Sequence, residues 1–193
     1  AGGATPWGTW LSCEEWIDVD DTSTQRDHGW VFEVPAKANG ECSMPEPLRA
    51  LGRFRHEAVA VDASSGVLYL TEDEHDGLLY RFVPEVKGDL SAGKLQALAI
   101  QKAPRSDLRN WDQDSPGPSP VTGDTLPVEW VDLLDIHAPR GDLRIRGHEI
   151  HGAARFARGE GIWAGNGSVY VACTNGGRSR IGQIWRYHPS PFE

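Results

Sequence analysis

A thiol and two carboxylates stand side by side in Cys13, Glu14 and Glu15, and single glutamates, Glu57 and Glu160, follow a phenylalanine by three and four residues in two similar stretches. Oxygen ligands alone suit calcium or magnesium, whereas a thiolate beside them suits a softer metal such as iron or zinc, so this mixture admits both kinds. Carboxylates that converge repel one another unless cations sit between them. Arg158, two residues before Glu160, carries the planar fork that grips an anionic group bidentately. Each residue taken singly also has a plainer role. Cys13 can be a small buried hydrophobe, Arg158 a salt-bridging surface arginine, and the acidic run from Glu72 to Asp76 a solvated turn.

Other motifs carry less. The two histidines of HEIH (148 to 151) stand three apart rather than the four of a zinc-protease helix, so the segment is expected as a loop or turn. Asn166-Gly167-Ser168 fits a glycosylation acceptor, but Asn-Gly between two strand-like runs is also a favoured hairpin turn, and the turn reading prevails. The sequence has no GxSxG elbow, Walker loop, GxGxxG fingerprint or CxxC pair.

The elements that must position these residues form a repeat. GTWLSCEE (8 to 15) with HGWVFEVP (28 to 35), GVLYLTEDE (66 to 74) with GLLYRFVP (77 to 84), and GSVYVACTNGG (167 to 177) with GQIWRYHP (182 to 189) share one pattern. A strand enters from glycine, turns at polar residues, and returns to an aromatic and a proline. Aligning Trp10, Tyr69 and Tyr170 brings Cys13, Glu72 and Cys173 into one register and Phe32, Tyr80 and Trp185 into another. FRHEAVAVD (54 to 62) and FARGEGIW (156 to 163) add an upstream strand to the second and third units, which places Glu57 and Glu160 at equivalent starts of innermost strands. In the first unit the equivalent glutamate is expected just before Ala1.

Three or more strands per unit is the pattern of a propeller blade. The fold class is therefore all-β, a β-propeller with blade units near 1–35, 53–84 and 152–189. An irregular insert is expected over 85–150, with one or two strands, a Pro-rich loop and a short helical turn before Phe156. The chain starts inside a blade and stops before a ring could close, so it reads as a fragment of a longer protein.

Composition sets the remaining bounds. Hydrophobic residues make up 39% of 193, enough for one sizeable core. The net charge of −9 disfavours nucleic acid and anionic membranes as partners. No apolar run is long enough to span a bilayer. Three cysteines, Cys13, Cys42 and Cys173, cannot all pair within one chain.

TPWGTWLSCEE (5 to 15), HGWVFEV (28 to 34), RFRHEAVAVD (53 to 62), YLTEDE (69 to 74), GLLYRFVP (77 to 84), GAARFARGEGIW (152 to 163) and NGSVYVACTNGG (166 to 177) together resemble the PhoX-type alkaline phosphatase family of bacteria. The resemblance fails only over about 85 to 126. It implies a six-bladed propeller, present here as about three to four blades, in a periplasmic or secreted enzyme that hydrolyses phosphomonoesters with iron and calcium. It further implies that Cys13, Glu14, Glu57 and Glu160 are metal ligands and that Arg158 binds the phosphate. A non-catalytic calcium-binding propeller and a lactonase-like hydrolase are the competing readings. The chain by itself is expected to be weakly active at most.

Overall fold

The computed structural model describes residues 1–17, 27–36, 46–111 and 116–190. They form three antiparallel sheets side by side. The first holds β1 (Gly2–Ala4), β2 (Thr9–Cys13) and β3 (Val31–Pro35). The second holds β4 (His56–Val61), β5 (Leu68–Glu72), β6 (Leu79–Pro84), β7 (Gly93–Ile100) and β8 (Val128–Asp132), paired in that order. The third holds β9 (Gly159–Gly165), β10 (Ser168–Cys173) and β11 (Gln183–Tyr187). The expected hairpins are β2–β3, β5–β6 and β10–β11.

Alternation explains the stacking. Leu68 and Leu70 of β5 point to one side and join Leu11, Cys13 and Val31 of the first sheet in an apolar cluster. Tyr69 points to the other side and joins Val169, Val171 and Cys173 of the third sheet. Since successive strand residues face opposite ways, a strand with neighbours on both faces is buried throughout, and so is every residue of β5; its two polar residues, Thr71 and Glu72, are hydrogen-bonded. At the outer rim Trp130 Nε1 donates to Tyr187 Oη at 3.0 Å, tying β8 to β11. Three sheets packed face to face, each beginning at an inner strand, are adjacent blades of a β-propeller.

Residues 85–150 supply the two outer strands of the middle blade, β7 and β8, and a short helix, α1 (Leu143–Glu149). α1 is the short helical turn expected before Phe156, and HEIH differs in its first half from the loop or turn expected of it: His148 and Glu149 close α1, Ile150 and His151 follow as a turn, and His148 is buried with Nδ1 2.8 Å from the Ala153 carbonyl oxygen. The Asn-Gly turn is as expected, with Asn166 and Gly167 both at positive φ between the paired Gly165 and Ser168.

The aromatic alignment is only partly kept. Tyr80 pairs with Leu70 and Trp185 with Val171, which are equivalent positions, but in the first blade Glu33 faces the matching Leu11 and Phe32 is displaced by one, opposite Ser12. A one-residue displacement turns a side chain to the other face.

Inner strands crowd closely. A Cβ on Gly3 would lie 1.9 Å from the Val59 carbonyl oxygen, so β1 approaches β4 only because that side chain is missing. Gly3→Ala is expected to destabilise the fold by about 1–3 kcal/mol, seen as a lower urea midpoint. An unchanged midpoint would show that β1 does not sit against β4.

Candidate functional site

β4 and β9 each begin with a bulge, and the bulges are equivalent. His56 pairs with Glu72 and Val59 with Leu70, leaving Glu57 and Ala58 opposite Thr71 alone. Gly159 pairs with Cys173 and Ile162 with Val171, leaving Glu160 and Gly161 opposite Ala172 alone. Such two-against-one positions bend a strand and re-aim a side chain. Glu57 and Glu160 therefore share one register, as the repeat indicated. The Thr71 hydroxyl fixes the two inner strands together, donating to the Glu160 carbonyl at 2.6 Å and accepting from Ala58 N–H at 3.1 Å.

The first blade departs from the expectation of a glutamate just before Ala1. Its ladder runs unbulged, with Gly2 directly opposite Ser12, so Gly2 occupies the place of the bulged pair. That blade contributes acid from the end of β2 instead. Burial pushes the Glu57 carboxyl above its ordinary range, and the like charges of Glu15, Glu160 and Asp73 push it further, against the amino group of Ala1. Glu15 Oε1 lies 2.8 Å from that amino group.

Arg158 completes the group. It sits at φ 51°, its N–H donating to the Glu74 carbonyl at 2.8 Å and its carbonyl accepting from Thr174 N–H at 3.0 Å. Its Nε and Nη2 donate to the two carboxylate oxygens of Asp73 at 2.8 and 2.7 Å, and Nη2 also reaches Glu160 Oε1 at 3.2 Å.

Cys13 and Glu14 stand differently. Cys13 lies in the apolar cluster between the first two blades, and burial pushes its thiol up to about 12. The Glu14 carboxylate accepts from the N–H groups of Gly29 and Trp30 at 2.8 and 3.0 Å and lies 2.9 Å from His28 Nδ1. It clamps the end of β2 to the approach of β3. So Glu57 and Glu160 are brought together with Arg158, Cys13 lies beneath them as a neutral thiol, and Glu14 is directed elsewhere. Two residues within the acidic runs, Glu15 and Asp73, join the group although the repeat gave no reason to single them out. The run from Glu72 to Asp76 is not a solvated turn: Glu72 is buried, Asp73 holds Arg158, Glu74 pairs with Arg55 at 2.7 Å, and Asp76 pairs with Arg144 at 3.3 Å.

Thiol burial gives a direct check. Cys13 and Cys173, both buried with thiols pushed to about 12, should resist Ellman's reagent in the folded protein at pH 8 and react on denaturation. Rapid reaction of either in the native state would contradict the packing. Cys42 lies outside the described residues.

Antiparallel blades whose inner edges gather carboxylates beside an arginine define a β-propeller with an acid-lined site. The chain belongs to the alkaline phosphatase PhoX family, whose profile matches residues 1–192. Among solved structures it is similar to Pseudomonas fluorescens PhoX in complex with vanadate, a transition state analogue, at 23% identity and a TM-score of 0.64. That similarity covers 96% of this chain but 43% of the other, so this chain spans less than half the length of the relative it matches. No curated protein matches the sequence. No helix among the described residues is long and apolar enough to cross a membrane.

Proposed function

We propose that this chain forms part of an exported, metal-dependent phosphomonoester hydrolase of the alkaline phosphatase type. The observation that carries the reading is the meeting of Arg158 with Glu57 and Glu160 at the shared end of two inner strands. Burial and then the like charges there raise the Glu57 carboxyl, and Nη1 of Arg158 has no partner among the described residues, leaving donors free for an anion. Family membership supports the chemistry.

Donor chemistry fits the implied metals unequally. Mutually repelling carboxylates at Glu57 and Glu160 suit a hard cation such as calcium, which would relieve the repulsion. Cys13 is the one soft donor in the proposed set, and it serves iron only if the metal displaces a proton held up to about 12. Glu14 would have to give up its three present partners. Among the described residues no three His, Cys, Asp or Glu side chains are close enough to hold one ion, so the set closes only with side-chain movement or with ligands from elsewhere in the protein. When bound, such ions supply the positive charge that offsets a phosphate and the charge developing during in-line displacement. Arg158 would bind the phosphate through Nη1, and Glu57 and Glu160 would hold the cations against it. A periplasmic or secreted location and a phosphomonoester substrate belong to the same proposal.

The test is phosphate release from 4-nitrophenyl phosphate by the full-length enzyme of which this chain is proposed to form part, purified without chelator. Release should be lost with EDTA and restored by calcium. A melting temperature raised by calcium without any turnover would favour the non-catalytic calcium-binding propeller instead.

A further inference from the structure

We infer that Asp73 is a positioning residue that holds Arg158 with its free edge toward an anionic substrate; this rests on the functional reading above. Asp73 follows β5 of the middle blade, and Arg158 precedes β9 of the next, so their fork crosses the boundary between blades. Both carboxylate oxygens are used, at 2.8 and 2.7 Å, and they occupy Nε and Nη2 together. A guanidinium held on that edge cannot rotate about its long axis, and only Nη1 remains to meet a ligand.

The backbone is held from the same neighbours. Left-handed φ is uncommon for a residue with a long side chain, and at Arg158 it is sustained by the bonds to Glu74 and Thr174. A side chain that is 38% exposed would otherwise sample many rotamers, and fixing it beforehand removes that ordering from substrate binding. Charge alone predicts the reverse. Asp73 partly neutralises Arg158, so if it acted only through charge, its removal would tighten anion binding.

The two accounts separate in the full-length, metal-loaded protein, using Asp73→Asn, Asp73→Glu, Arg158→Lys and the double variant Asp73→Asn/Arg158→Lys. The readouts are KM and kcat on 4-nitrophenyl phosphate, the Kd for inorganic phosphate by calorimetry, and bound metal. Asp73→Asn should raise KM and the phosphate Kd by about tenfold to a hundredfold, as expected for a displaced binding group. Bound metal should stay unchanged, and Asp73→Glu should recover part of the loss. In the Arg158→Lys background the same substitution should change the Kd by less than about twofold, because its effect runs through Arg158. Tighter phosphate binding, additive effects or lost metal in Asp73→Asn would overturn the inference. So would active wild-type protein with an unaffected Asp73→Asn. Wild-type protein that neither binds nor releases phosphate would overturn the functional reading and this one with it.

Discussion

In the full-length protein, replacing Glu160 with alanine is expected to reduce phosphomonoester hydrolysis by about 1,000-fold, the scale on which loss of one preorganised charged group at a reacting centre is felt. The fold should hardly notice. The bond that joins the inner strands uses the Glu160 backbone carbonyl, which alanine keeps. Its side chain is part-exposed and touches Arg158 at 3.2 Å, which retains Asp73. Stability should change by less than about 0.5 kcal/mol. Initial rates with calcium present and a urea titration measure the two halves of the expectation. Near-native turnover would remove Glu160 from the reaction, while a large loss of stability would mean that its role is structural.

The second large effect concerns pH. Glu72 is fully buried, accepts from Tyr80 Oη at 2.8 Å and Leu78 N–H at 3.1 Å, and lies 3.8 Å from Arg144 Nε. Burial outweighs these partners and raises its carboxyl from 4.5 to about 7. An acid whose folded pKa is raised favours folding while protonated, so its contribution is full below 4.5 and is lost as pH rises to about 7. The loss is on the order of 3 kcal/mol. Its ladder partner acts oppositely. His56 is pushed by burial from 6.5 to about 3, so it favours folding when neutral and loses that contribution as pH falls through 6.5 toward 3. The two slopes oppose each other between 4.5 and 6.5, and wild-type stability alone would hide both. Glu72→Gln removes one of them. Its stability relative to wild type should therefore rise by about 3 kcal/mol between pH 4.5 and 7.5 in denaturant titrations. A difference that stays constant with pH would refute the assignment.

Much of the architecture was legible because a propeller repeats itself locally. Strand, polar turn and return strand lie within 17 to 27 residues, so β2–β3, β5–β6 and β10–β11 could be marked from glycines, aromatics and prolines alone. The outer strands β7 and β8 were harder to place, because 27 residues of connection separate their ends and no motif marks the pairing. The bounds of α1 were harder to place for a related reason: it is a seven-residue helix that reaches only the first two residues of HEIH, and its amphipathic pattern is too short to stand out.

The site divides along the same line. The equivalence of Glu57 and Glu160 was legible in the sequence because it is one of register, and register repeats with the blade. Which carboxylate of the Cys13-Glu14-Glu15 run turns toward them was not, since adjacent strand-end residues differ only in direction. Tertiary contacts decided it: Glu14 meets the N–H groups of Gly29 and Trp30, while Glu15 joins the charges around Glu57. The pairing of Arg158 with Asp73 spans 85 residues and two blades, a distance over which sequence carries no spacing rule. The sequence by itself thus determined the repeated elements and the residues that share a position in each, because those follow from local periodicity. Only the packing of one blade on the next decided which polar side chains are buried, neutral or paired, because burial and charge depend on neighbours far away in the chain.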